Sequence, residues 1–281
     1  MLHMGRFPPP TIHPSRGSLP VLISVPHAGR EYGEDVLANA VQGRRALEML
    51  EDPLVDRLCW RAVGAGIGAV VQRVPRAVID CNRDESEVDP AAVAGVGPAP
   101  VGPRARFGLG LIPSRTHRHG ALWRRPIGPD ELVWRLEQVH RPYQLALGDA
   151  LLQLVAQFGE AVLIDCHSMP SRRGQAAIVI GDRHGYSAGS WVSAEAAAIA
   201  RAEGYKTALN DPYAGGAIVA RHGRPAAGVH AIQVEVDRSL YLKEDGRTAG
   251  VGFDRIACLV EAMAIGLGNA VLARSVRDAA E

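Results

Sequence analysis

The chain has 281 residues, 47% hydrophobic and 22% charged, enough for one large domain with a well-buried core or two small ones. Lys and Arg (31) balance Asp and Glu (30) to a formal charge of +1, which argues against holding nucleic acid or an anionic membrane by bulk electrostatics. The apolar stretches read as shorter than the ~20 residues of a membrane span, and residues 1–20 carry no signal-peptide run. Cys59, Cys81, Cys166 and Cys258 are widely spaced with no CxxC pair, and Cys81 and Cys166 sit inside apolar runs, which predicts that these two are buried thiols in a reducing cytoplasm.

In chain order, Pro8-Pro9-Pro10, Pro14 and Pro20 predict an irregular arm over residues 1–19. Val21-Leu-Ile-Ser-Val25 reads as a buried strand that stops at the turn Pro26-His27-Ala28-Gly29. Residues 45–65 place Leu47, Leu50, Leu54, Leu58 and Ala62 on one helical face. Val70-Val71 and Ala77-Val78-Ile79 read as strands, the second running into Asp80-Cys81-Asn82-Arg83. Residues 86–114 are rich in Gly and Pro, the pattern of a lid, a binding loop or an insertion. Residues 129–158 form the longest helical pattern, which Pro142 should break or kink. Ala161-Val-Leu-Ile164 is a strand that ends in Asp165-Cys166-His167-Ser168, and Ala177-Ile-Val-Ile180 is another that ends in Gly181-Asp182. A helix over 193–203, strands over 217–220 and 229–236 and a helix over 250–273 complete the chain. Continuous apolar strands alternating with helices favour an α/β fold with the sheet covered on both faces. With no composition break to mark a boundary, we expect one catalytic domain over 20–281, carrying a loop insertion at about 86–128.

Polar residues follow the expected strand ends, where open α/β sheets place their ligands. Two of these ends carry His27 and His167. Two histidines plus one acid make the usual catalytic zinc set with a position left open. Glu51, Asp52 and Asp56 are the candidate acids, each also readable as a charge favouring a helix N-terminus. Alternation puts Gln233, Glu235 and Asp237 on one side of their strand. A mid-strand Glu235 reads either as a general base acting on metal-bound water or as the salt-bridge partner of Arg238. Arg83, with Asn82 and nearby Arg76, could fork a substrate carboxylate, or pair with Asp84 or Glu85. The basic stretch from Arg115 to Arg125 lacks interleaved aromatics, Gly108-Leu-Gly110 is no dinucleotide fingerprint, and Ser168 has no GxSxG context.

Eight segments together resemble the N-formylglutamate amidohydrolases. They are Ser24-Val-Pro-His-Ala-Gly29, Glu51-Asp-Pro-Leu-Val-Asp-Arg-Leu58, Arg76-Ala-Val-Ile-Asp-Cys-Asn-Arg83, His140-Arg-Pro-Tyr143, Ile164-Asp-Cys-His-Ser-Met169, Ile180-Gly-Asp182, Asn210-Asp-Pro-Tyr-Ala-Gly-Gly216 and Val229-His-Ala-Ile-Gln-Val-Glu235. The resemblance implies a three-layer α/β/α fold, zinc-exopeptidase-like, with a mixed, mostly parallel sheet of about eight strands. It implies one zinc ion held by His27, His167 and an acid, chosen here as Asp52 with Glu51 the nearest rival. Other divalent metals suit the same donors. Glu235 matches the family's catalytic glutamate, and Arg76 an arginine near the site. Asn82 and Arg83 match the pair expected on the substrate carboxylate, and His140 and Tyr143 a helical segment facing the pocket. The implied reaction is cleavage of an N-acyl amino acid, foremost N-formyl-L-glutamate to formate and glutamate in histidine degradation, with no nucleic acid or membrane partner. The alternatives are an amidase on small cell-wall-derived peptides and a binding protein of the same fold without turnover.

Overall fold

The structure is a computed structural model that describes residues 7–278. Residues 1–6 of the expected arm lie outside the described residues. The chain divides into two compact units.

One unit comprises Ile12–Val25, Asp52–Val71 and the chain from Ala146 onward. It holds a seven-stranded sheet of β1 (Thr11–His13), β2 (Val21–Val25), β3 (Gly68–Val71), β6 (Ala161–Met169), β7 (Ile178–Gly181), β8 (Thr207–Leu209) and β9 (Val229–Asp237), in the order β1-β3-β2-β6-β9-β7-β8. Seven strands thus stand where about eight were expected. The sheet is mixed and mostly parallel: β3, β2, β6 and β9 run together, and β7 is antiparallel to β9. All residues of β2, β3, β6 and β7 are buried, the reason that their sequences are mostly apolar rather than alternating, with Ser24, Asp165, His167 and Ser168 the polar exceptions in β2 and β6. The long helix α10 (Phe253–Asp278) packs on β2 and β6, and α9 (Ala217–His222) packs on β6 and β9. Helix α8 (Ser190–Ala202) packs on β7 and α10, while α7 (Arg141–Phe158) leads into β6. By length and composition α10 is long and apolar enough to cross a membrane, contrary to the sequence reading; half of that window is buried in the protein, as in a core helix.

The expected helix over 45–65 is three short helices, α2 (Arg44–Glu48), α3 (Val55–Leu58) and α4 (Trp60–Gly64). Pro53 cannot donate within a helix and Leu54 turns left-handed at φ 62°, so the chain breaks there and Glu51 and Asp52 sit in the turn. Residues 217–220 are helical, not a strand: four apolar residues fit either period, and α9 starts after the Gly215-Gly216 pair. Strand β6 extends five residues past its expected end, so Asp165 and His167 lie within it.

The other unit comprises residues up to Thr11, Pro26–Glu51 and Gln72–Leu145. It holds α1 (Glu34–Asn39), α2, α5 (Pro103–Arg106), α6 (Pro129–Arg135) and the ribbon of β4 (Arg115–Thr116) with β5 (Gly120–Ala121). Residues 77–79 are a buried turn rather than a strand, because the Val78 carbonyl goes to the Arg135 guanidinium at 2.6 Å instead of to a ladder. The expected break at Pro142 is a π-helical turn over Leu136–His140. Pro142 cannot bond the carbonyl four residues back, and the widened turn makes room for its ring.

Candidate metal centre

His27 lies two residues beyond β2, Asp52 in the turn before α3, and His167 inside β6. All three are buried, and one ligand atom from each lies within 4.8 Å of the others. The Asp52 Oδ2–His167 Nδ1 separation is 2.9 Å. Glu51 accepts the Tyr32 hydroxyl at 2.7 Å, and Asp56 sits in the first turn of α3. The donor chemistry, two imidazoles and a carboxylate, fits a divalent ion.

Each imidazole carries a buried carboxylate on its Nε2. His27 Nε2 lies 2.7 Å from Asp80 Oδ1, and His167 Nε2 lies 3.0 Å from Asp165 Oδ2. Such outer partners fix ring orientation and tautomer in metal sites. Both carboxylates are themselves held. Ser24 Oγ donates to Asp165 at 2.7 Å, a contact made possible because Ser24 and Asp165 face one another across the β2–β6 pair. Arg76 Nε and the Asn82 N–H each donate to Asp80 at 2.8 Å. Burial pushes the Asp80 carboxyl up, but Arg76, His27 and Arg83 outweigh it and hold the group well below the usual carboxylate range. Burial pushes the His167 imidazole down, but Asp165 and Asp52 outweigh that and hold it well above the usual histidine range.

Glu235 is His167's direct partner across the parallel β6–β9 pair, so both side chains project from the same face of the sheet. Arg83 is buried, donating to the Leu109 carbonyl at 2.7 Å and the Asn82 carbonyl at 2.6 Å, and lying 3.7 Å from Asp80. It pairs with neither Asp84 nor Glu85 in this way. His140 Nε2 contacts the Arg83 carbonyl at 2.9 Å, and Tyr143 is fully buried.

The profile of the N-formylglutamate amidohydrolase family matches residues 19–242. The chain belongs to that family. It is 32% identical over 240 residues to the N-formylglutamate deformylase of Pseudomonas putida, covering 82% of this chain and 84% of that protein. The deformylase of Pseudomonas aeruginosa is 31% identical over 238 residues, with the same coverage. The crystal structure of N-formylglutamate amidohydrolase from Ralstonia eutropha JMP134 superposes with a TM-score of 0.85 at 31% identity, over 94% of this chain and 98% of that one.

Two residues beside this family member's centre escaped the sequence reading of the site. Arg238 Nη2 donates to Asp52 Oδ1 at 3.0 Å and its Nε to Ser168 Oγ at 3.1 Å. Gln233 donates to Glu235 Oε1 at 2.8 Å. Arg238 follows the last residue of β9, and that position at a strand's carboxyl end was the available signal.

Proposed function

We propose that the chain hydrolyses N-formyl-L-glutamate to formate and L-glutamate with one divalent ion, zinc by donor type, held by His27, Asp52 and His167. The observation that carries this is the convergence of those three buried ligand atoms in a chain of this family. When bound, the ion supplies Lewis acidity, acidifying water and polarising the amide carbonyl. Asp80 and Asp165 keep the two imidazoles aimed and in one tautomer. Glu235 takes the proton from the attacking water and returns one to the departing amine of glutamate. Arg76, Asn82 and Arg83 recognise substrate carboxylate. Arg76, anchored on Asp80 with its side chain 16% exposed, stabilises developing oxyanion charge as well. His140 supports the backbone that carries Arg83.

The products suit the last step of histidine degradation, and the free cysteines, three of them buried, suit a reducing cytoplasm. The test is a zinc-loaded assay of N-formyl and N-acetyl amino acids and short peptides, following free amine. N-formylglutamate should be cleaved fastest. Release of amino acids from peptides with no formate from N-formylglutamate would select the peptidase reading, and no turnover with any substrate the binding protein. Glu235→Gln should bind zinc like the parent and lose turnover; unchanged turnover refutes the assigned base.

A further inference from the structure

We propose that Gln233 is a positioning residue for Glu235, coupling the backbone of residues 213–216 to the orientation of the catalytic carboxylate. This rests on Glu235 being the base proposed above.

The Gln233 amide is committed at both ends. The Gly216 N–H donates to its Oε1 at 2.8 Å, and its Nε2 donates to Glu235 Oε1 at 2.8 Å. The first bond decides the second: with an N–H fixed on the oxygen, the amide cannot be turned round, and its NH2 end must face the carboxylate. Both side chains are buried, so the bond works where water competes little.

The backbone around this bond is shaped to make it. Gly181 faces Gln233 across the antiparallel β7–β9 pair. A Cβ at Gly181 would lie 2.6 Å from the Ala214 carbonyl carbon and 2.7 Å from the Gly215 nitrogen, so residues 213–215 lie directly on the sheet at this row. Gly215 has φ +118°, and a Cβ there would lie 2.7 Å from Val219 Cγ2. Two glycines are therefore needed to seat one short segment whose next N–H holds Gln233. The row itself leads to the reacting centre: Gln233 pairs in register with Asp165, and Glu235 with His167. An apolar residue would fill this position of a buried strand at lower cost, since a buried amide must find partners for every polar atom. The partner that it serves is the glutamate.

The test uses the full-length, zinc-loaded protein and two variants. Gln233→Leu removes both bonds. Gln233→Glu keeps the shape and the acceptor for Gly216 but replaces the donated hydrogen bond with a like charge. Both should lose about 10–100-fold in kcat, the loss expected for one buried hydrogen bond to a charged group. KM for N-formylglutamate and zinc affinity, read by competition with a chromophoric chelator, should not change. Parent-like kcat in either folded variant overturns the proposal. So does a kcat loss that tracks lost zinc affinity, or failure of both variants to fold, because either result makes Gln233 a structural residue. Glu235→Gln is measured alongside. An active Glu235→Gln sinks the base assignment, whereas an inactive Glu235→Gln with a fully active Gln233→Leu sinks only the role given to Gln233.

Discussion

Replacing Asp80 by Asn tests whether a residue that never reaches the ion helps hold it. Asp80 is fully buried and takes His27 Nε2 at 2.7 Å, Arg76 Nε at 2.8 Å and the Asn82 N–H at 2.8 Å, with Arg83 at 3.7 Å. Asparagine keeps the shape but is neutral, and one end of its amide carries N–H groups. One of the present donors must then face another donor, at about 1–3 kcal/mol for an orphaned buried group. Removing the buried partner of an ion pair costs about 3–5 kcal/mol. Arg76 is 16% exposed and recovers some hydration, so we expect about 3 kcal/mol in all. A fold worth about 5–15 kcal/mol survives that loss. Zinc affinity should fall about 10–100-fold, the usual effect of removing a metal histidine's outer carboxylate. Denaturant unfolding with chelator present reads the first effect, and chelator competition reads the second. The stability from the ionised Asp80 is present above its unfolded pKa of ~3.9 and is lost as pH falls through its depressed folded value. The gap between parent and variant should therefore be flat at neutral pH and close only in strong acid. An Asp80→Asn protein equal to the parent in both stability and zinc affinity would refute this reasoning.

Zinc uptake should release a proton, since the metal-free His167 imidazole is held well above the usual histidine range and must shed its proton to bind. Affinity should weaken by up to about tenfold per pH unit on acidification, and calorimetry in buffers of different ionisation heat would expose the error if no proton appears. The same raised value predicts that the metal-free protein keeps this contribution below pH ~6.5 and loses it as pH rises through the folded pKa. His222 behaves in the opposite way: burial, with Arg221 nearby, pushes it down to about 4, so stability should decline as pH falls from ~6.5 to 4. His222→Gln should flatten that slope, which approaches ~1.4 kcal/mol per pH unit in the parent; an unchanged acid profile counts against it. Gly29→Ala would place a Cβ 2.2 Å from the Val74 carbonyl carbon, two residues from His27. It should destabilise the protein by about 3 kcal/mol and cut zinc affinity, and a variant with parent-like thermal unfolding and metal binding argues otherwise.

Strands β2, β3, β6, β7 and β9 were readable because they are buried along nearly their whole length, whereas the short, partly exposed β1 and β8 left no such run. Other short apolar runs were not readable in this way. Residues 77–79 and 217–220 carry the same signal as a strand, and their conformation is decided by Arg135 on the Val78 carbonyl and by the glycines before Ala217. The leucine spacing over 45–65 is real, yet Pro53 breaks it, and that break sets Asp52 in a turn. Of the site, the histidines announced themselves at the ends of apolar runs. Glu51, Asp52 and Asp56 could not be told apart along the chain, because what distinguishes them is spatial: Tyr32 donates to Glu51 and Arg238 to Asp52. Gln233 looked like one polar residue among three on a strand face, and its role rests on a backbone N–H seventeen positions away.

Strand β9 is the last to be synthesised, yet it sits in the interior of the sheet between β6 and β7. Until Val229 and its followers leave the ribosome, β6 presents an open edge that starts with the apolar run Ala161–Ile164, and β7 has only β8 beside it. Such an edge invites pairing with other chains. A chain cut short anywhere before residue 229 is thus more than inactive: it is a sticky half-sheet, and translation of this protein has a long window in which chaperones must guard it.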